Sequence, residues 1–228
     1  MSEQFSYTDA LRAVCRDVCA KIREFRRIDV DRVGFSFSVA RNNGRYGGWA
    51  SVTPLRFEGG ALATSTVRAI RETNELGRLV VVRKRLYYKT CSVKDKDGRE
   101  VLYIFNVMAP RFTNLTPIEK IDTIMHELYH INPEFNGDVR RFPGRNWQHG
   151  DKKAYDAKAA SLSREWLATD PDPRLYEFLQ YDAKGLTERY GRVVGTKFAR
   201  PRTIPISEEE AFKLEPNLRT VSQRPIGR

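Results

Sequence analysis

All three histidines of this 228-residue chain fall between positions 126 and 149. His126 and His130 stand four apart in Met125-His126-Glu127-Leu128-Tyr129-His130. On a helix this spacing puts both imidazoles on one face, a turn apart, where they can share one tetrahedral Zn²⁺. Glu127 sits beside them, placed for a water at the metal rather than for the metal itself, and is the expected general base. H-E-x-x-H is a short string that also occurs by chance on helices that bind nothing. Histidines scattered for packing would rarely all collect in one such window, which argues for a metal site here.

A catalytic zinc takes three protein ligands and keeps one position open. The pattern with Gly three residues after the second His and a ligand three further on is excluded, because Pro133 and Asn136 occupy those positions. Acidic candidates are Glu134, Asp138, Asp151, Asp156 and Glu165. Glu134 lies too close to the helix end to swing back, whereas Asp138 can reach if the chain turns at Asn136-Gly137. His149 is preferred as the third ligand: imidazole is the commoner zinc donor, and Gly150 lets the backbone pass close to the site. Asp122, one turn before His126, is the expected partner of that ring's other N–H. Tyr129, Tyr155, Arg140, Arg141 and Arg145 are candidates for stabilising an oxyanion, and the sequence does not choose among them.

These side chains need a helix to carry them. Thr116-Pro117-Ile118-Glu119 has the form of a helix start, with Thr as cap, Pro at the first helical position and Glu reaching back. Ile118, Ile121, Met125, Leu128 and Ile131 then recur at helical steps, and Pro133 stops the helix just after His130. Val101 to Val107 reads as a buried strand feeding into it. Upstream, Ser6 to about Arg27 predicts an amphipathic helix; Cys15 and Cys19 on it read as buried thiols, since no second pair or nearby His completes a metal site. Val33 to Val39 alternates as a strand does. With Trp49 to Phe57 it predicts a hairpin whose tip carries Arg41, Arg45 and Gly47-Gly48. Thr64 to Leu76 is expected to be a short helix and Leu79 to Lys89 a basic strand. Asp151 to about Ala168 and Arg174 to about Ala183 are expected helices.

The run His126-Glu127-Leu128-Tyr129-His130-Ile131-Asn132-Pro133-Glu134-Phe135-Asn136-Gly137-Asp138-Val139-Arg140-Arg141-Phe142, followed by His149-Gly150, resembles the phage metallopeptidase family of phages and bacterial chromosomes. It is similar more remotely to SprT-like zinc proteases, which also place a third His in a His-Gly pair. The resemblance covers roughly Val101 to Tyr155 and implies zinc peptidase chemistry acting on a protein or peptide. It departs from the SprT-like proteins in having no C-terminal Cys-x-x-Cys ribbon.

Composition bounds the rest. Hydrophobic residues at 40%, with 12 Phe and 10 Tyr, suit a folded core. No apolar run approaches a membrane span, no signal-peptide core is visible, and three cysteines make no disulfide framework, so a cytoplasmic protein without a membrane partner is expected. The net charge of +11 suits weak binding to nucleic acid, although the basic residues are spread along the chain and no nucleic-acid motif accompanies them. The expected architecture is α+β: a small zincin-like domain over residues 1–190, its mixed or antiparallel sheet packed on the histidine helix with flanking helices. Residues 191–228, with four prolines around Glu208-Glu209-Glu210, read as an extended, partly mobile arm.

Overall fold

The computed structural model describes residues 4–39, 48–144, 147–199 and 201–218. Strand β1 (Gln4–Ser6) leads into α1 (Tyr7–Lys21), whose cap Ser6 accepts from the Asp9 N–H. Tyr7, Leu11, Val14, Cys15, Val18 and Cys19 form its buried face, so both thiols pack in the core. The helix is shorter than its apolar stripe suggested: Ile22 turns extended, and a tight turn at Arg23–Phe25 carries Phe25 inward instead.

The central sheet has the order β2-β8-β3, built from β2 (Val33–Val39), β3 (Ala50–Pro54) and β8 (Tyr103–Ala109). The expected hairpin between the first two does not form, because β8 lies between them, parallel to β2 and antiparallel to β3. The physical reason lies in β8 itself. Tyr103, Ile104, Phe105 and Val107 are all buried, and a strand that is apolar on both faces belongs at the centre of a sheet, not at its edge. The supposed hairpin tip at Arg41, Arg45 and Gly47 lies outside the described residues.

Phe35, Tyr103, Phe105 and Val107 join a core completed by α1, α2 (Pro117–Tyr129) and α3 (Lys152–Leu167). On the other face of the sheet Leu55, Val101 and Ile104 make a smaller cluster with Phe198. Phe198 lies so close over Gly34 that a Cβ there would meet its ring at 2.8 Å. The short pair β6 (Val93–Lys94) and β7 (Glu100–Val101) closes around the Asp95–Gly98 turn.

β4 (Ala63–Thr73) and β5 (Leu79–Lys89) form a two-stranded ribbon paired over all eleven residues of each. The helix expected from Thr64 to Leu76 is therefore a strand. Thr64, Thr66, Val67, Ile70 and Thr73 are β-branched, and the Asn74–Gly77 turn brings Leu79 to Lys89 alongside so that the ladder forms. The ribbon is anchored at its base, where Ala63, Thr64 and Ser65 are buried, and solvated further out.

After α3 the helix expected from Arg174 to about Ala183 is instead α4 (Pro173–Tyr176) and a tight turn at Glu177–Gln180, and a further helix, α5 (Ala183–Tyr190), follows. Beyond residue 190 the chain stays engaged. β9 (Arg192–Val194) pairs with β1, Thr196 accepts from the Phe37 N–H, and β10 (Ile204–Ile206) pairs with the base of β5. α6 (Glu208–Leu214) then packs on the ribbon base, with Glu210 on Lys89. The whole is an α+β fold with small mixed and antiparallel sheets. Among the described residues no helix is long and apolar enough to cross a membrane.

Candidate metal centre

The helix α2 is held at three points. At its start Thr116 and Glu119 form a reciprocal capping box. At its first turn Lys120, 1% exposed, donates to the carbonyls of Leu179 and Tyr181 at 2.9 and 2.6 Å, which ties the helix to the turn before α5. Burial pushes this amine down to about 8. At its end the chain doubles back: Ile131 bridges Val139, and Arg140 N–H donates to the His130 carbonyl at 2.7 Å. Gly137, at φ +89, makes that return possible; a Cβ there would sit 2.4 Å from Arg56 Cγ.

His126 and His130 project from one face of α2, with Nε2 atoms 3.2 Å apart. His149 arrives from the turn before α3, and one ring nitrogen from each of the three histidines lies within 4.8 Å of the others. Two imidazoles bound at about 2.1 Å to a tetrahedral zinc stand about 3.4 Å apart, close to the separation of the α2 pair. The donor set, three nitrogen ligands with partial exposure, fits a metal with an open position. Burial, the rings of His126 and His149 and the Arg140 charge push His130 down to about 3. Burial likewise depresses His126 and His149. The three rings are thus neutral near pH 7, the form in which imidazole donates to a metal.

Tyr155 on α3 stands among the three rings, 4.7 to 5.0 Å from each by centroid, and donates its hydroxyl to the His126 carbonyl at 3.1 Å. Its hydrogen bond makes it a wall of the site, not a free oxyanion donor. At the next position of α3, Asp156 Oδ1 faces His126 Nδ1 at 3.3 Å. This corrects the assignment of Asp122 as that ring's partner: Asp122 Oδ1 is buried with no hydrogen-bond partner among the described residues. Asp156 appeared in the sequence only as a possible ligand. Its true position depends on how α3 crosses α2, which spacing along the chain does not reveal.

Asp138, the alternative third ligand, is engaged elsewhere. It is 2% exposed, receives the Arg141 guanidinium at 2.9 and 3.0 Å, and accepts from the N–H groups of Gly59 and Val139. It locks the return loop. Arg141 also stacks on Trp147, while Arg140 donates to Glu24 and to the Tyr129 carbonyl and lies over the Tyr129 ring. Both arginines therefore act as fasteners; Arg145 lies outside the described residues.

Glu127 packs where β3 runs alongside α2, close enough to Tyr155 for its charge to act on that hydroxyl. It is 7% exposed and its carboxyl accepts from the Val52 N–H. Burial pushes it up to about 7, with the Val52 hydrogen bond working in the opposite direction. Sequence reasoning missed Val52 and gave Asp156 the wrong role because each reaches the site through tertiary packing.

No protein-family model and no curated protein matches the chain. Among solved structures, a metazoan TIR-STING receptor from C. gigas in complex with 2',3'-cGAMP aligns at 12% identity over 85% of this chain and 46% of that one, with a TM-score of 0.14. The chain thus spans less than half of the receptor's length, and at this score the likeness bears on neither fold nor function.

Proposed function

We propose that this protein is a zinc-dependent peptidase. The observation that carries the reading is the meeting of His126, His130 and His149 beside a helix that holds Glu127 buried at the next position. His126, His130 and His149 would hold the ion, with Asp156 fixing the tautomer and tilt of His126. Bound zinc supplies Lewis acidity toward water and a substrate carbonyl. Glu127 takes the proton of the attacking water and returns it to the leaving amine, while the Val52 N–H holds its carboxylate in place. Tyr155 and Tyr129 wall the site on the α3 side. The resemblance of the His126–Phe142 stretch to phage metallopeptidases supports the same reading, and a protein or peptide is the substrate class it implies. Three nitrogen ligands, two of them one turn apart on α2 with the buried Glu127 between, suit hydrolysis better than a closed structural zinc, which takes four protein ligands.

The test compares the full chain with its Glu127→Gln variant, both loaded with zinc, on a mixture of unfolded proteins. New protein N-termini are read by mass spectrometry. The reading expects one zinc per chain in both proteins and new termini from the wild type alone. Identical termini from both, or a wild type that takes up no zinc, would overturn it.

A further inference from the structure

The β4–β5 ribbon is built for a polyanion. From Ala63 to Lys89 the chain carries seven basic residues against two acidic ones, a denser excess than the chain as a whole. Charge alone would mean little; the register is what organises it. Val67 pairs with Arg85, Ala69 with Arg83, Arg71 with Val81 and Thr73 with Leu79, so these eight side chains share one face, and all eight are exposed. None of them is acidic. The only acids in the ribbon are Glu72, which sits on the opposite face and pairs with Lys84, and Glu75 in the turn. Glu208 and Glu210 of α6 reach Tyr87 and Lys89 at the base, where Glu208 and Arg85 line one pocket, so the acids meet only the base end of the row and not Arg83 or Arg71. Among the described residues Arg71 and Arg83 take part in no ion pair.

Arg83 and Arg85 are two residues apart on one strand, about 7 Å, and Arg71 is diagonal to Arg83 across the ladder at a similar step. The result is a row of guanidinium groups at nearly even intervals, along an arm about 35 Å long that leaves the body of the protein. A nucleic-acid strand carries one phosphate per about 3.4 Å of axis, so successive arginines match alternate phosphates. A two-stranded ribbon also fits a major groove about 12 Å wide.

We infer that the exposed Arg71–Arg83–Arg85 face of the ribbon is a docking surface for double-stranded nucleic acid. A membrane surface suits it less well: the apolar tip residues Leu76 and Leu79 could enter a bilayer only by carrying Glu75 with them. The inference is independent of the metal centre.

The experiment measures binding of the full chain to a fluorescent mixed-sequence duplex of about 25 base pairs by anisotropy, across a salt series. Two double variants of equal charge change are compared: Arg71→Ala/Arg83→Ala on the basic face, and Arg68→Ala/Lys84→Ala on the opposite face. The first is expected to weaken binding by about tenfold or more at low salt and to reduce the slope of log affinity against log salt by about 2. The second should change affinity by less than about threefold. Arg71→Lys/Arg83→Lys, which keeps the charge, should retain most of the binding. Equal loss in the two alanine variants would overturn the inference, since it would indicate net charge and not a face. So would the absence of duplex binding by the wild type, including the case in which it binds phosphatidylserine vesicles instead.

Discussion

Helix α2 turns most of its length inward, whereas the outer half of the β4–β5 ribbon touches almost nothing. Ile121, Ile124, Met125 and Leu128 are each at most 4% exposed, and even the ionisable Lys120 and Glu127 are buried on α2. Val67, Val81 and Leu79 on the ribbon are 48%, 67% and 76% exposed. The two regions therefore hold their candidate functional side chains by different means. Around α2, rings are neutral and fixed by packing and by specific acceptors, as metal chemistry demands. On the outer ribbon, Arg71 and Arg83 are solvated and set in a row by strand register, which suits a long-range, salt-sensitive attraction.

The sharpest way to break this contrast is to empty the metal centre. His126→Ala/His130→Ala should abolish stoichiometric zinc, measured by elemental analysis, and should cancel the fall in melting temperature that a chelator produces in the wild type. Duplex binding by the ribbon should be untouched. Retention of a full zinc equivalent in the double variant would show that the three rings are not the site.

Truncation of core and ribbon side chains should differ nearly as much. Phe105→Ala, at the centre of β8 with no exposure, should cost about 3–5 kcal/mol in denaturant unfolding. Val81→Ala on the ribbon should change stability by no more than about 0.5 kcal/mol. Comparable losses would mean that the ribbon face is covered in solution.

Asp156→Asn tests orientation within the centre. It leaves all three ligands but weakens the acceptor at His126 Nδ1, so zinc affinity should fall by about 10- to 100-fold, with far less effect on unfolding of the metal-free chain. Asp138→Asn should do the reverse, because Asp138 fastens the return loop to Arg141 and does not approach the rings. A larger zinc defect for Asp138→Asn than for His149→Ala would restore Asp138 as the third ligand.

The smallest expected effect is on acid stability. His130 is held down at about 3, and His126 and His149 are depressed as well, while in the unfolded chain histidine titrates near 6.5. As pH falls below about 6.5 the unfolded state takes up protons that the folded state refuses, so the metal-free protein should lose stability from there downward. Replacing the three histidines with Gln should flatten the profile between about pH 6.5 and 5. Charges on the solvated ribbon should contribute little to this slope.

How much of this was legible beforehand depends on the range of the interaction. The cap of α2, most of its apolar stripe (Ile118, expected in it, is 46% exposed), the stop after His130 and the one-turn spacing of its two histidines all arise within a few residues, and the chain alone determined them. The same holds for α3, for the start and buried face of α1, though not its end, and for the strand β2. The 64–76 stretch could not be settled that way. Its β-branched residues and its scattered polar ones suit either state, and the partner strand β5 decided between them. Only the tertiary structure placed β8 between β2 and β3, because the order of strands is fixed by which of them can be buried on both faces. The exchange of Asp122 for Asp156 has the same cause. A carboxylate one turn away on the same helix was the nearer choice in sequence, but side chains meet in space, and the crossing of α3 over α2 brought Asp156 to the ring.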